Sequence, residues 1–422
     1  MREMKDSGIS WVGEMPKEWR CLPIRALFTE NRNKNFLGKE TKALQFKYGT
    51  IIPKKNFDPE ENYVAETILN YNIVDRGMIM LNGLNLNFDF VSKRIALVTE
   101  RGIITSAYMS FYPTDTTTVL SEYSNYLLKS YDNCAAFHNM GGGVRKILNF
   151  DELKRQYFIL PSLDEQQRIA EFLDRECGKI DGLKEDIQSQ IDTLEQYKRS
   201  VITEAVTHGL NPSAPMKNSG AGWMPLIPLH WKADKLKFHL RQRGIKNQID
   251  KQVLSLYREY GIVPKDSRDD NHNVTSEDVS DYRYVRVGDF VVNKMKAWQG
   301  SVAVSNYEGI VSPAYFVYEF SDDLINKRYF HYLMRNKTYA TEFRRLSGGI
   351  REGQWDLPSE ALNNTIILLP PLDEQQEIAD YLDNKCAEIE QIIADKKSQI
   401  ETLDNYKKAL IFEYVTGKKE IV

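Results

Sequence analysis

Two copies of a Gly-Gly-x-Arg sequence are the residues of this chain best suited to hold a ligand. They span residues 142–145 and 348–351, ending at Arg145 and Arg351, and each lies shortly before a predicted long helix. Paired glycines allow a close backbone approach that a Cβ atom would block. The arginine then offers a planar fork that fits a phosphate or the edge of a guanine base. Three further cations stand beside these copies, namely Lys146, Arg344 and Arg345. An ordinary structural turn is the alternative interpretation.

A second pair of candidate segments, one in each half of the chain, carries different types of side chain at corresponding positions. In the first segment three asparagines follow a predicted strand: Asn82, Asn85 and Asn87. The matching loop offers two cations, an indole and an amide: Lys294, Lys296, Trp298 and Gln299. Amides can form two hydrogen bonds to adenine, whereas lysine and tryptophan suit phosphates and stacking. Two domains that read different base sequences would differ in this way, and two turns without a ligand are the alternative.

Motifs that would support catalysis are missing from the sequence. It has no Gly-x-x-x-x-Gly-Lys-Ser/Thr loop for ATP and no dinucleotide fingerprint after a predicted strand. The six histidines show no metal-ligand spacing. The four cysteines are far apart, which excludes a disulfide scaffold and is typical of the reducing cytoplasm: Cys21, Cys134, Cys177 and Cys386. The sequence therefore predicts a binding protein without a cofactor of its own.

The chain is a tandem duplication. An opening motif with two tryptophans and a proline at 7–19 recurs at 219–231. The sequence Leu-Asp-Glu-Gln-Gln occurs at 163–167 and again at 372–376. The Gly-Gly-x-Arg sequences are a third pair, in the same order. The two copies are alike at their edges and differ in their middle parts, as expected for one scaffold that carries two different binding surfaces.

Each copy ends in a predicted long helix. Apolar residues recur every three or four positions along it, which favours one narrow apolar stripe per helix. The first stripe comprises Ile169, Leu173, Cys177, Ile180, Leu183, Ile187, Ile191, Leu194, Tyr197 and Val201. The second comprises Ile378, Leu382, Cys386, Ile389, Ile392, Ile400, Leu403, Tyr406 and Leu410, interrupted by Lys396. Neither helix is expected to be stable alone, so each is predicted to pack against the other.

These features divide the chain into five parts. Two mixed α/β domains, 1–160 and 218–370, alternate with long helices at 161–206 and 371–417, and a linker rich in helix breakers occupies 207–217. The second opening motif follows directly from the first helix. By analogy, the first opening motif should lie beside the end of the second helix, which requires the helices to be antiparallel.

Charge is distributed unevenly along the chain. The 422 residues carry a net charge of −3, but the helical segments 164–204 and 373–413 contain 22 acidic and 11 basic residues. The rest of the chain therefore carries +8. Such an excess suits phosphate binding, and a solvated basic surface is the alternative. Mean hydropathy is −0.49, and no apolar run is long enough to span a bilayer, so no membrane association is expected.

Together, the duplicated opening motif, the Leu-Asp-Glu-Gln-Gln sequence and the long helix resemble the specificity subunit of type I restriction–modification enzymes. This resemblance covers essentially the whole chain, in both copies. It implies an α+β fold with two target recognition domains separated by two antiparallel coiled-coil helices. It also implies that each domain reads one half of a split, asymmetric site in double-stranded DNA.

The resemblance further implies partners and their cofactors. The helices would dock two methyltransferase subunits, which use S-adenosylmethionine, and restriction subunits with motor and nuclease activity would join with ATP and magnesium. This chain would then be a cytoplasmic, non-catalytic subunit. Two alternatives belong to other classes. The first is a self-sufficient DNA-modifying enzyme, which would need a nucleotide or S-adenosylmethionine motif that this sequence does not contain. The second is a duplicated coiled-coil protein-interaction module without DNA specificity.

Overall fold

The fold consists of two compact units of mixed helix and strand, in agreement with the predicted α+β class. The computed structural model describes residues 2–55, 57, 68–91, 93–142, 146–267, 275–349 and 355–421. Unit 1 comprises Met1–Ile187 and Lys397–Val422, and unit 2 comprises Gln188–Lys396. Each unit therefore contains one mixed domain and a part of both long helices.

Unit 1 combines one four-stranded sheet with four smaller strand pairs. Its described strands are β1 (Met4–Asp6), β2 (Glu14–Pro16), β3 (Arg20–Pro23), β4 (Phe28–Glu30), β5 (Leu44–Lys47), β6 (Thr50–Pro53), β7 (Asn72–Val74), β8 (Ile79–Leu81), β9 (Ile95–Leu97), β10 (Gly102–Ile104), β11 (Met109–Pro113) and β12 (Tyr157–Leu160). The sheet is antiparallel in the order β4-β11-β8-β9. The pairs are β1 with β2, β3 with β12, β5 with β6, and β7 with β10. The described α-helices include α1 (Ser121–Asn133), α2 (Phe150–Leu153) and the first part of α3 (Leu163–His208).

Unit 2 repeats this topology strand for strand. Its described strands are β13 (Met216–Ala221), β14 (Met224–Pro228), β15 (Lys232–Lys235), β16 (Leu240–Arg243), β17 (Leu254–Tyr257), β18 (Gly261–Pro264), β19 (Arg283–Val285), β20 (Phe290–Asn293), β21 (Val302–Val304), β22 (Gly309–Val311), β23 (Tyr315–Phe320) and β24 (Ile366–Leu369). The sheet order is β16-β23-β20-β21, and the pairs are β13 with β14, β15 with β24, β17 with β18, and β19 with β22. The described α-helices are the second part of α3, α4 (Lys327–Arg335), α5 (Lys337–Leu346), α6 (Ser359–Asn363) and the first part of α7 (Leu372–Val415), whose remainder belongs to unit 1. Every strand pairing of unit 1 recurs, so the duplication extends from sequence to fold.

A turn interrupts the segment 284–292, which is rich in β-branched and aromatic residues. β19 ends at Val285, and β20 begins at Phe290. Gly288 between them has a φ of +87°, which the backbone of a strand does not adopt. The Asp289 carboxylate also accepts a hydrogen bond from the Arg286 backbone N–H at 2.7 Å, which closes a turn.

The central sheets have an apolar core on both faces. In β8, Ile79 and Leu81 belong to the main core of unit 1, while Met80 between them belongs to a second cluster. In β20, Phe290 and Val292 face the main core of unit 2, and Val291 faces the other cluster. Side chains alternate between the faces of a strand, so a run of apolar residues fills both cores. The loops at the ends of these strands are thereby held on a rigid base.

The long helices run antiparallel within each unit, as expected. In unit 1 the Lys184 ammonium lies 2.5 Å from the Asp404 carboxylate, and the Lys407 ammonium lies 2.6 Å from that of Asp181. In unit 2, Lys198 pairs with Glu390, and Lys396 donates to the Gln190 side-chain oxygen at 2.5 Å. In both units the residue number rises on one helix as it falls on the other. The lysine that interrupts the predicted apolar stripe, Lys396, therefore forms a hydrogen bond to the opposite helix.

The predicted stripe is wider than the face that the structure buries. Cys177 and Cys386 are buried, as expected of small apolar residues of the stripe. Four members are instead largely exposed: Leu183, Tyr197, Ile392 and Tyr406. Ile393, outside the predicted stripe, is buried in place of Ile392. A single neighbouring helix covers only a narrow face, so residues at the margin of the stripe remain in solvent.

The Leu-Asp-Glu-Gln-Gln sequence joins each domain to its long helix. In unit 1 the Trp19 indole donates to the Glu165 carboxylate at 2.9 Å. The Gln166 side chain, fully buried, donates to the Thr118 and Pro161 carbonyls and accepts from the Leu120 N–H. Unit 2 repeats both arrangements with Trp231, Glu374 and Gln375. The repeated sequence is therefore a structural joint.

The opening motif of unit 1 lies beside the end of α7, as the duplication predicted. The Lys418 ammonium donates to the Val12 carbonyl at 2.7 Å. The Tyr123 hydroxyl donates to the Val415 carbonyl at 3.1 Å. In unit 2 the Tyr329 hydroxyl makes the matching bond to the Val206 carbonyl, near the end of α3. Among the residues that the structure describes, no helix is both apolar and long enough to cross a membrane.

Candidate nucleic-acid interface

In unit 1 a buried arginine shapes the connection between β8 and β9, residues 82–94, which we call the amide loop. The Arg94 side chain is fully buried. Its guanidinium donates to the Asn82 carbonyl at 3.1 Å, the Leu84 carbonyl at 2.8 Å and the Asp89 carbonyl at 2.5 Å. The Arg94 backbone N–H donates to the Asp132 carboxylate of α1 at 2.8 Å. One cation thus bonds three backbone carbonyls of the loop, while its own N–H anchors it to α1.

The amide loop contacts residues 146–148, which directly follow the first Gly-Gly-x-Arg sequence in the chain. The Leu86 N–H donates to the Lys146 carbonyl at 3.1 Å, and the Leu148 N–H donates to the Gly83 carbonyl at 2.9 Å. A Cβ atom on Gly83 would lie 2.2 Å from the Leu148 carbonyl oxygen, so only glycine permits this approach. The amide loop and Lys146, which the sequence proposed separately, therefore lie side by side.

The three asparagines of this loop differ in their surroundings. Asn85 is exposed, with a φ of +54°, a left-handed conformation that asparagine tolerates. Asn82 and Asn87 are half-buried. The Asn82 side-chain oxygen accepts from the Leu84 N–H at 3.1 Å and so supports the turn. Asn85 is thus the member best placed to meet a ligand.

Unit 2 has a matching surface that is supported by an equivalent backbone hydrogen bond, and we call this shared arrangement the backbone frame. The connection between β20 and β21, residues 294–301, is called the cation loop here. The Leu357 N–H donates to the Lys294 carbonyl at 2.9 Å, as Leu148 does to Gly83 in unit 1. Gly348, in the second Gly-Gly-x-Arg sequence, and Asp356 exchange two backbone hydrogen bonds, of 3.2 and 2.9 Å. The scaffold is repeated while the side chains that it presents differ.

Two tryptophans and an arginine meet beside the cation loop. The Trp298 and Trp355 rings lie 5.6 Å apart at an angle of 59°. The Arg344 guanidinium lies 5.8 Å from the centre of each ring. Arg344 itself is exposed, and both indoles are half-buried. The cluster offers a cation and flat apolar surface, a combination that suits phosphates and bases.

The other predicted cations of unit 2 have different electrostatic environments. The Lys294 ammonium lies 3.1 Å from the Asp356 carboxylate. Arg345 makes two 2.7 Å hydrogen bonds to the buried Glu342 carboxylate, which raise the pKa of the arginine and offset its charge. Lys296 and Gln299 are exposed. Lys296 therefore supplies more of the positive potential at this surface than Arg345 does.

Comparison with known proteins identifies the family of the chain. The family model described as the type I restriction modification DNA specificity domain matches residues 94–193 and 245–402. These stretches cover more than half of the chain and include part of each unit. The chain belongs to this DNA specificity family. Its role is DNA recognition for a type I restriction–modification system, and the alternative of an interaction module without DNA specificity is not supported.

Two curated relatives of this specificity subunit come from Methanocaldococcus jannaschii. The type I restriction enzyme MjaVIII specificity subunit is 25% identical over 323 residues, covering 70% of this chain and 69% of the relative. The putative type I restriction enzyme MjaX specificity subunit is 21% identical over 428 residues, covering 96% and 95%. A solved structure concerned with complex assembly and conformational transition of the type I R-M system has a similar fold. Its TM-score is 0.67 at 15% identity, covering 96% of this chain and 99% of that one.

For this specificity subunit, sequence reasoning missed two residues of the surfaces. Arg94 stands at the start of a strand and gave no sign of burial, because its three acceptors are backbone carbonyls. Trp355 follows shortly after the second Gly-Gly-x-Arg sequence. A tryptophan beside a candidate binding sequence is a signal that the sequence does offer. Two predicted site residues, Arg145 and Arg351, lie outside the described residues. Within the described part, no cluster of histidine, cysteine, aspartate or glutamate could hold a metal ion.

Proposed function

We propose that this chain is a non-catalytic subunit whose two domains read the two halves of a split, asymmetric DNA site. One observation carries the proposal: the two units hold loops of different chemistry on one repeated backbone frame. Base contacts specify sequence, whereas phosphate contacts position the protein. Different side chains on a repeated backbone frame are therefore what two domains that read different base sequences require.

The two surfaces suit different parts of a duplex. In unit 1 the exposed Asn85 amide can bond base edges in the major groove, where adenine accepts a two-bond contact from an amide. In unit 2, Lys296 and Arg344 can neutralise phosphates, and the tryptophans beside them can pack against sugars or bases. Binding by unit 2 is thus expected to depend more strongly on salt.

The long helices are proposed to set the spacing of the half-sites and to dock two methyltransferase subunits. Asp181 pairs with Lys407 and Lys184 with Asp404, so the exposed Leu183 and Tyr406 lie at the same level of the helix pair in unit 1. In unit 2 the exposed Tyr197 and Ile392 adjoin the ion pair of Lys198 with Glu390. Exposed apolar side chains that recur at equivalent positions favour two equivalent docking surfaces for a protein.

Catalysis is assigned to partner subunits. The methyltransferases would bring S-adenosylmethionine, and the restriction subunits would bring ATP and magnesium for translocation and cleavage. This division is supported by the missing nucleotide-binding motifs of the sequence. The chain alone is expected to bind DNA without modifying it.

Mapping of methylated bases tests the proposal. The chain is expressed with its partner genes, and every methylated position in the genome is determined. We expect one motif of two short, different sequences separated by a fixed number of unspecified base pairs. Replacing residues 20–160 by the corresponding domain of another family member should change one half of the motif and preserve the other.

The second domain supplies the matched control. Replacing residues 232–370 should alter the opposite half and leave the first unchanged. A motif that changes in both halves after a single replacement would contradict the assignment of one half-site to each unit. Methylation without any sequence motif would contradict DNA recognition itself.

A further inference from the structure

The amide loop of unit 1 exposes three apolar side chains at its tip. Phe88, Phe90 and Val91 are 71%, 69% and 93% exposed. Such a cluster is unfavourable in water, and on a soluble protein it marks a surface that becomes covered by a partner. The tip is part of the loop that carries Asn85, so its partner and the ligand of Asn85 must lie close together.

Hydrogen bonds hold the tip in a defined shape. The Phe88 N–H donates to the Asn85 carbonyl at 3.1 Å, and the Val91 N–H donates to the Asp89 carboxylate at 3.1 Å. The Asp89 carbonyl accepts from the buried Arg94 guanidinium at 2.5 Å. The Phe90 ring stacks on the His138 ring, with centroids 4.8 Å apart and planes 11° apart. The backbone of the tip is thus held by hydrogen bonds and the Phe90 ring by His138, while both phenylalanine rings remain exposed.

The tip is an addition to the repeated scaffold. Thirteen residues, 82–94, connect β8 to β9 in unit 1, whereas eight residues, 294–301, connect β20 to β21 in unit 2. Both connections start from the same backbone frame. The extra length of unit 1 contains the exposed rings, so they serve the ligand of unit 1 and are not needed for the fold that both units share.

We propose that this tip is an apolar wedge, with Phe88 and Phe90 entering between neighbouring base pairs of the half-site read by unit 1. The inference rests on the proposed function and adds a mode of DNA deformation to it. One hydrogen-bonded turn joins Asn85 to Phe88. The Asn85 amide suits the edge of a base, and the Phe88 ring suits the face of a base. A nucleic acid presents base edges and base faces as close together as these two side chains are. Apolar side chains inserted in this way unstack a base step and bend the duplex.

Such a wedge contributes to specificity without hydrogen bonds to bases. Pyrimidine–purine steps unstack at lower cost than other steps, so the half-site of unit 1 is expected to contain one at a fixed place. The cation loop of unit 2 has no comparable set of exposed rings among its described residues. Its half-site should therefore remain stacked.

Fluorescence of 2-aminopurine tests the wedge. The chain is purified with its methyltransferase partners and bound to a duplex that carries the mapped motif, with 2-aminopurine at single positions of each half. We expect fluorescence to rise at one step of the unit 1 half and at none in the other half. The double variant Phe88→Ala, Phe90→Ala should lose this rise and bind about tenfold more weakly, as expected for lost ring–base contacts.

Two further variants separate the wedge from a general loss of apolar surface. Phe88→Leu with Phe90→Leu should retain most of the rise, because leucine also serves as a wedge. Phe36→Ala removes an equally exposed ring (71%) from another loop of unit 1 and should change nothing.

Two results would overturn the inference. One is an unchanged fluorescence rise in the double alanine variant. The other is loss of co-purification with the methyltransferases in that variant, which would assign the tip to a protein contact. Neither result affects the proposed function, whose failure would appear earlier, as a missing bipartite motif in the methylation map.

Discussion

Arg94 supports the amide loop of unit 1 from a buried position. Its guanidinium bonds three carbonyls of the amide loop, so the position of Asn85 depends on it. Replacement by alanine leaves these buried acceptors with fewer partners, at about 1–3 kcal/mol for each one left unsatisfied. Because Arg94 acts through the loop, its loss should reduce discrimination more than it reduces general DNA affinity.

We expect Arg94→Ala to relax the half of the motif read by unit 1 and to leave the other half intact. Competition binding with duplexes altered in one half at a time measures this. Arg94→Lys offers one flexible donor group in place of the fork and should restore part of the discrimination. Arg101→Ala, which removes an exposed arginine of the same unit, is the control and should bind as the unchanged protein does. Equal losses in both halves would point to unfolding, and no loss would remove Arg94 from recognition.

Among the structural elements, the joint between domain and helix explains the most repeated sequence of the chain. Gln166 satisfies two carbonyls and one N–H where the domain meets α3, and Gln375 does the same before α7. These backbone groups lie at loop ends that lack partners in a sheet or helix. Both units need a buried side chain that can bond two carbonyls and one N–H, so a glutamine occurs at this position in both.

Gln166→Ala is therefore expected to destabilise unit 1 by about 3 kcal/mol, because one buried and two partly buried backbone groups lose a partner. Denaturant unfolding followed by tryptophan fluorescence measures the change. Gln375→Ala should have an effect of similar size through unit 2. Gln167→Ala, at an exposed neighbouring position, should change stability by less than about 0.5 kcal/mol. If the Gln166 and Gln167 variants are equally stable, the joint has no structural importance.

At the scale of the whole molecule, the duplication predicts the composition of the complex. Each unit presents its own exposed apolar residues on the helix pair, Leu183 with Tyr406 in unit 1 and Tyr197 with Ile392 in unit 2. A partner that fits one surface should also fit the other, since the helices repeat. The chain alone is expected to aggregate, because these surfaces are then uncovered.

Single charges should remove one partner at a time. We expect one copy of the unchanged chain to bind two methyltransferases, and Tyr406→Glu or Tyr197→Glu to bind one. The double variant should bind none, because a carboxylate cannot be buried in an apolar contact without large cost. Native mass spectrometry gives the stoichiometry. Ser398→Glu adds the same charge at an exposed helix position and should keep both partners. A stable, monodisperse chain that needs no partner would count against the docking role.

The sequence by itself determined the duplication, the α+β class, the two long helices and their antiparallel direction. These follow from repeated motifs and from apolar spacing, which are local properties of the chain. Local spacing also identified the glycine turns and the amide and cation loops as candidates. It could not give the strand order, because strand pairing joins residues far apart in sequence, such as Phe28 and Pro113.

Only the tertiary structure decided which candidates share a surface. The Leu86–Lys146 bond joins a loop to a turn about sixty residues away, and Leu357 joins the cation loop in the same manner. It also decided that Leu183, Tyr197, Ile392 and Tyr406 face solvent, because the width of a buried stripe depends on the neighbours that cover it. The burial of Arg94 and the outward tip at Phe88 depend on backbone carbonyls and on loop length. The type of a residue does not reveal whether it will be buried by backbone carbonyls or exposed by a long loop. The burial of Arg94 and the exposure of Phe88 therefore became visible only in the folded chain.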